Sequence, residues 1–586
     1  MLGPSTRKIL WILLLLLGIG LWLNAGRGFW GRNAQVVAAV VTGLVAAVPL
    51  VNRKLSAGID ATRWLRGHGL LVFSIITLLA GGYFVLEAVL QHRSLGPGME
   101  DESSLLVQIA MLAHGRLWMP AHPLADFFDA MYLFVRPVYA SVYFPGTALL
   151  YAPGYWLGLP SWVMPVIRAA LTVGFTYLVV AELLDEPAGL LAALLLACTT
   201  GMRFGSVILL SHAAVMLAGV VVLWTYLRWR RNPTWPWAMA IGLSVGWAAT
   251  IRPLDALVYC LPVALAVACR LRFQCRAVVT RACLAAALGV APFAAMQVAM
   301  NRAATGHWFT SPYSAYVDRY LPGLSVGFHR PVASELGVDR LANDATPRKV
   351  ALYREFVKWV DEVDPKDAWA DLWENRMPRL ATRALPNPLL LAFVPLGLLA
   401  WRRDRWVAFA AMALFPLAYQ LYPLFLLHYT LPAIPLLAIA VAIGARVSAN
   451  AAPGVSTRWT TCATAMAVAL CVSASPRFDR LSWDEWYRVD LVRQVERDVD
   501  AVSGEPSIVL FDTGPRDGKT SNEFVYNFTT PWPDDARAIR AHDLGPRNIE
   551  LYRYYAERQP GRLVYRYDAP TRSMRPLGTV SDLAKQ

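Results

Sequence analysis

The chain has 586 residues, 56% of them apolar and only 16% charged, a balance that excludes an ordinary soluble protein and points to a polytopic membrane protein. Its formal net charge of +14 does not argue for nucleic acid, because the basic residues fall in short loops between apolar runs and no aromatic-interleaved basic face accompanies them. All seven cysteines lie in or beside apolar runs, so neither a disulfide framework nor a thiolate metal site is expected.

A membrane-crossing helix needs roughly 17–25 predominantly apolar residues. The first candidates are Lys8 to Asn24 and Ala34 to Val51. Leu23 is too large for the third position before a cut after Ala25, so a retained first helix is expected and not a cleaved leader. Gly69 to Leu90 follows, then a polar segment, Gln91 to Tyr143, containing MEDESSLLVQIA from Met99 to Ala110. There Leu105, Ile109 and Leu112 recur at i, i+4 and i+7, which predicts an amphipathic helix at the membrane surface with Asp101, Glu102 and Ser103 in its first turn. Carboxylates are favoured there by the helix dipole and by free backbone N–H groups, so simple capping explains them as well as chemistry does.

Pro145 to Leu159 is apolar but interrupted by Pro153 and Gly154, and is expected not to span. The remaining candidates are Val163 to Glu182, Ala188 to Gly201, Gly205 to Leu227, Trp237 to Ile251, Leu254 to Cys269, Ala282 to Met300, Pro386 to Trp401, Trp406 to Leu424, Leu427 to Gly444 and Trp459 to Val472. With these, every basic cluster (Arg53 to Arg66, Arg228 to Arg231, Arg270 to Arg281, Arg402 to Arg405) lands on the cytoplasmic side. The expectation is an α-helical polytopic membrane protein of about thirteen crossings, with the N-terminus inside and the C-terminus outside. Residues 1–68 would hold two helices and a cytoplasmic loop, and 69–475 a transmembrane domain with external loops 91–143 and 301–385. Residues 476–586, with strand-like runs at Ser507 to Phe511 and Leu563 to Tyr567 and a helical run from Asn548 to Arg558, would form a small external α/β domain.

The external face collects ionisable and aromatic groups. Arg252 and Asp255 stand where two crossings meet; each would cost about 3 kcal/mol at the bilayer centre, so they belong at its edge, paired or facing a polar cavity. Arg203 lies in an external turn with His212 just beyond it, Arg136, Tyr139 and Tyr143 lead into the surface segment, and His428 opens a late crossing. Singly, each reads as a satisfied interfacial residue. Together they suit a site in which Asp101 takes a proton from a hydroxyl or holds a divalent cation, while arginines neutralise a phosphate.

The chain resembles the type C glycosyltransferases, and more narrowly the bacterial relatives of protein mannosyltransferases and lipid A aminoarabinose transferases. The resemblance rests on Asp101-Glu102 opening a juxtamembrane helix, Ala113-His114-Gly115-Arg116-Leu117, Tyr139-Ala140-Ser141-Val142-Tyr143-Phe144-Pro145, Arg252-Pro253, Thr305-Gly306 with Ser311-Pro312-Tyr313, and His428-Tyr429-Thr430-Leu431-Pro432. It implies Asp101 as the catalytic carboxylate supported by Glu102, inversion at the sugar carbon, and a donor carried on a polyprenyl phosphate. The acceptor would be a lipid, glycan or protein hydroxyl at the outer surface of a bacterial inner membrane. Substrate contacts would come from Arg136, Tyr139, Tyr143, Arg203, His212, Arg252, Asp255 and His428. Two departures stand out. Val142 and Tyr143 replace the lysine that relatives carry before a Pro-Pro pair, leaving that phosphate contact absent or taken over by Arg136; Arg203 and Ser206 occupy a loop where many relatives are acidic, which leaves a divalent cation at Asp101 open. The rivals are a transporter or flippase of lipid-linked saccharides, which would place ionisable groups near the midplane on paired broken helices, and a glycan polymerase or ligase of different fold.

Overall fold

Long runs of Leu, Ile, Val and Ala can satisfy their backbone polar groups in lipid only by coiling into helices or closing a barrel. The computed structural model describes residues 67–93, 95–320, 368–386, 390–391, 393–399, 405–422, 425–450, 489–512, 524–568 and 571–586. Among these, six helices are long and apolar enough to cross a membrane: Gly69–Leu90, Val163–Leu183, Ser211–Arg231, Pro253–Leu271, Arg276–Thr305 and Leu427–Val447. Each coincides with an expected crossing. Leu70, Leu71, Leu78 and Leu79 of Gly69–Leu90 point away from the protein, an apolar face of a size that lipid covers and water does not. The chain is a multi-pass membrane protein.

Other expected crossings come out shorter. Ala188 to Gly201 divides into a helix Glu186–Ala197 and a short one, Thr200–Gly205; Thr199 stops the first and caps the second, its Oγ1 accepting the Met202 N–H at 3.1 Å. Twelve residues rise only about 18 Å, short of a hydrocarbon core of about 30 Å. Trp235–Ala249 and Trp406–Tyr419 are likewise brief, and of the expected crossing Pro386 to Trp401 the described residues include the helix Phe393–Leu399. The expected crossings at Lys8 to Asn24, Ala34 to Val51 and Trp459 to Val472 lie outside the described residues. Pro145 to Leu159 forms an eleven-residue helix, Gly146–Trp156, too short to span.

Outside this bundle, α1 (Glu100–Ala113) carries the acidic turn, and strands β1 (Met119–Pro120), β2 (Leu133–Phe134) and β3 (Val138–Ser141) make a small antiparallel sheet in the order β1-β3-β2. The C-terminal residues build a second sheet from β4 (Ser507–Asp512), β5 (Ala538–His542), β6 (Leu563–Asp568) and β7 (Ser573–Thr579), ordered β5-β4-β6-β7. Here β4 runs parallel to both neighbours and β7 closes the edge antiparallel.

Helix α1, expected to be amphipathic, packs on both of its faces. Leu105 and Ile109 enter the core of the bundle, as the periodicity predicts. Val107 and Met111, on the other face, join Phe127, Phe128, Ile508, Leu510, Ile539 and Leu551 in a second core shared with the C-terminal sheet. Hydrogen bonds fasten the same junction. Tyr526 Oη donates to the Met131 carbonyl at 2.9 Å, and the His542 Nε2–H to that of Asp129 at 2.6 Å. Leu124 N–H donates to His122 Nδ1 at 2.9 Å, so Nε2 keeps the proton that it gives to Asp534 at 2.8 Å. Helix α1 is therefore clamped between membrane body and C-terminal sheet.

Candidate active site

The first turn of α1 splits its carboxylates by direction. Successive residues project about 100° apart around a helix, so Asp101 and Glu102 cannot share an environment. Glu102 is buried, and its two oxygens accept the N–H groups of Gly98 at 2.8 Å and Leu209 at 2.9 Å. It ties the start of α1 to the turn ahead of Ser211–Arg231. Burial pushes its carboxyl up to about 7 against the pull of those two N–H groups.

The sign of that shift predicts a stability effect. With a folded value near 7 and an ordinary value of 4.5, the folded state holds the proton more tightly, so stability falls as pH rises through that window and is unaffected by this group below it. Glu102→Gln should flatten the decline in melting temperature between pH 4.5 and 7. Because an amide offers one acceptor and two donors, the variant should also lose about 1–3 kcal/mol at low pH, read by thermal unfolding in detergent.

Asp101 turns toward Tyr143. Tyr143 Oη donates to its Oδ1 at 2.5 Å. Burial raises the Asp101 carboxyl above its usual range, opposed by this hydrogen bond and, more weakly, by the positive charge of Arg252. Tyr143 is itself fixed: Gln108 Nε2, two turns along α1, donates to its carbonyl at 2.6 Å, and Ser104 and Ser141 pair their hydroxyls at 2.8 Å.

What brings Arg252 to Asp101 is a backbone lock. The Gly146 N–H donates to the Thr250 carbonyl at 2.7 Å, and Trp247 Nε1 donates to the Gly146 carbonyl at 3.0 Å. A Cβ on residue 146 would stand 2.7 Å from the Thr250 carbonyl carbon, so only glycine permits the approach. The segment holding Tyr143 is thereby pinned against the turn that ends in Arg252. Arg252 Nε donates to Asp255 Oδ2 at 2.5 Å and Nη1 to Ser211 Oγ at 3.4 Å. Tyr419 Oη fills the other side of Asp255 at 2.8 Å.

Between the carboxylate and the guanidinium runs a wall of tyrosines. Tyr132 and Tyr313 flank Tyr143 at 5.6 and 6.3 Å between ring centroids. The hydroxyls of Tyr313 and Tyr422 meet at 2.7 Å, and Tyr422 packs on Tyr429 at 5.5 Å, over which Arg252 lies at 5.8 Å. His212 stacks on Tyr429 at 4.7 Å and meets the edge of His428 at 4.6 Å. Tyr132, Tyr419 and Tyr422 were not singled out in the sequence. The available signal was tyrosine, not phenylalanine, at the external ends of apolar runs.

Three residues expected at the site lie elsewhere. Arg136 is largely exposed and pairs with Asp126 at 2.6 Å, a carboxylate that also takes Arg547 of the C-terminal unit at 3.0 Å. Tyr139 is buried against Trp532 in the junction core. Arg203 is fully buried and paired with Glu87 of Gly69–Leu90 at 2.8 Å. Breaking such a pair leaves an uncompensated buried charge, so Arg203→Ala should cost about 3–5 kcal/mol in stability. Turnover per folded molecule should be unchanged, measured by melting in detergent alongside activity.

Both Glu102 oxygens are engaged by backbone N–H groups, Asp101 is surrounded by tyrosines, and no group of three or more His, Cys, Asp or Glu side chains gathers among the described residues.

No protein-family model and no curated protein sequence matches the chain. Among solved structures it is similar to ArnT from Cupriavidus metallidurans bound to undecaprenyl phosphate, at 11% identity and a TM-score of 0.46, over 86% of this chain and 93% of that one. It is also similar to the Archaeoglobus fulgidus oligosaccharyltransferase in the apo form, at 15% identity and a TM-score of 0.42, over 77% and 63% of the two chains. A third is AglB from Archaeoglobus fulgidus in complex with an inhibitory peptide and a dolichol-phosphate, at 13% identity and a TM-score of 0.39, over 88% and 75%.

Proposed function

We propose that the protein is a membrane glycosyltransferase that moves a sugar from a polyprenyl-phosphate donor to an acceptor hydroxyl on the external face of a bacterial inner membrane. The observation carrying this reading is one connected set of side chains, in which the half-buried Asp101 is bonded to Tyr143 and a run of tyrosine contacts, Tyr143 to Tyr313, Tyr422 and Tyr429, leads to the guanidinium of Arg252. A proton acceptor at one end and a fixed positive charge at the other are what displacement of a phosphate by an alcohol requires.

In the proposed reaction the acceptor O–H gives its proton to Asp101 while the oxygen bonds to the anomeric carbon. The bond from that carbon to the phosphate oxygen breaks on the opposite face, and its electron pair leaves on the phosphate. One bond forms as one breaks, which inverts the sugar carbon and needs no covalent intermediate on the protein. Tyr143 holds the Asp101 carboxyl in place through its hydroxyl. Arg252, fixed by Asp255 and Ser211, neutralises the departing phosphate. No step is routed through a metal ion. Purified protein, offered a panel of polyprenyl-phosphate sugars and acceptors, should form a product with one of them. Loss of product in Asp101→Asn at unchanged melting temperature would support the assignment, and full activity there would remove it.

A further inference from the structure

Resting on that reading, we infer that His212 is a second phosphate-binding residue, presenting a ring N–H to the leaving phosphate beside Arg252. His212 is almost completely buried, at 3% exposure, yet neither of its ring nitrogens has a hydrogen-bond partner among the described residues. Buried polar atoms in folded proteins are overwhelmingly bonded, so an orphaned imidazole asks for a ligand. The ring cannot swing away to find another partner: it lies flat on Tyr429, 18° from parallel at 4.7 Å, and abuts His428 at 4.6 Å.

Its neighbours define what that ligand is. The residue before it, Ser211, receives Arg252 Nη1 at 3.4 Å, and Arg252 stands over the same Tyr429 ring at 5.8 Å. A guanidinium, a hydroxyl and an imidazole thus gather round one aromatic platform. The carboxylate within this group, Asp255, is occupied by Arg252 and by Tyr419. A cation with two neutral donors suits a phosphate group better than a sugar hydroxyl. A neutral imidazole also adds a donor without adding a second buried positive charge, which would be costly beside Arg252.

The charge history of the reaction gives this donor its use. The donor substrate is a phosphodiester with one negative charge, and transfer leaves a monoester that carries a second. A hydrogen bond to the phosphate therefore strengthens as the sugar departs, which favours the transition state and the lipid phosphate product over the bound donor.

The test uses farnesyl phosphate, farnesol and inorganic phosphate as probes of the purified full-length protein in detergent, with binding read by calorimetry. Wild type should prefer farnesyl phosphate over farnesol by at least tenfold. His212→Phe should lose about tenfold in affinity for farnesyl phosphate, with farnesol binding unchanged, and His212→Gln, which keeps an N–H donor, should recover most of the loss. Inorganic phosphate should compete at least a hundredfold more weakly than farnesyl phosphate. Equal competition would overturn the lipid-phosphate assignment. A folded His212→Phe that binds farnesyl phosphate as tightly as wild type would overturn the role of His212 alone, provided Arg252→Gln still loses binding. Indifference of the wild type to the phosphate group would instead overturn the proposed function itself.

Discussion

Asp101→Asn is expected to lower kcat by about 10²–10⁴-fold, the usual range for loss of a positioned general base, with the protein folded and the donor KM changed by no more than a few-fold. The substitution keeps the size of the side chain and an oxygen that can accept from Tyr143, so Tyr143 has no reason to move. What it removes is the capacity to take a proton. The pH profile gives a second handle. Burial raises the Asp101 carboxyl, and a base works only when ionised, so kcat should fall as pH drops through a value above the ordinary carboxylate range of about 4. The Glu102 carboxyl is raised as well, to about 7. The two carboxylates sit next to each other, so the wild-type limb belongs to the pair. Glu102→Gln should leave a single limb at lower rate cost than Asp101→Asn, and Tyr143→Phe should shift it upward, because the hydroxyl that favours the ionised carboxyl is gone. A flat profile between pH 4 and 8 would contradict a base at position 101.

The features legible in the sequence were those written in local pattern. Apolar runs longer than a bilayer's thickness produced six of the expected crossings, and Pro145 to Leu159 yields only the eleven-residue helix Gly146–Trp156, which runs through Pro153 and Gly154. The strand and helix runs placed at Ser507, Leu563 and Asn548 recur as β4, β6 and Asn548–Arg558. Where twelve to fifteen residues carry an apolar segment, as in Glu186–Ala197, hydropathy cannot tell a crossing from a packed half-length helix. The second face of α1 was hidden for another reason: Val107 and Met111 find their partners about four hundred residues later.

The site was legible to the extent that its chemistry sits at membrane edges. Asp101, Tyr143, Arg252, Asp255, His212 and His428 were expected on one face; Arg252, His212 and His428 pack about Tyr429, Asp255 bonds to Arg252, and Asp101 bonds to Tyr143. Arg136 and Arg203 were expected on that face too, but the charge rule assigns a side of the membrane and says nothing of partners. Arg203 had Glu87 in a neighbouring crossing, and Arg136 had Asp126 ten residues away. The Gly146 lock on Thr250, which sets the distance between the two halves of the site, has no signature beyond a glycine after a proline.

Arg252 is expected to give the other large effect, and separating its two roles requires a pair of variants. Arg252→Met removes the charge that meets the phosphate, which should cost about 10²–10³-fold in kcat by analogy with losing one preorganised donor to a developing anion. It also strands Asp255, fully buried and left with the Tyr419 hydroxyl. An uncompensated buried carboxylate costs about 3–5 kcal/mol, so the melting temperature should fall as well. Adding Asp255→Leu removes the stranded charge, and replacing both members of a buried pair by apolar groups is often neutral or stabilising. The double variant should therefore regain most of the lost melting temperature while activity stays at the level of Arg252→Met. That divergence between stability and rate is the signature of a guanidinium that acts on substrate. If activity returned together with stability, Arg252 would be a structural partner of Asp255 and the phosphate would have to be met by other groups.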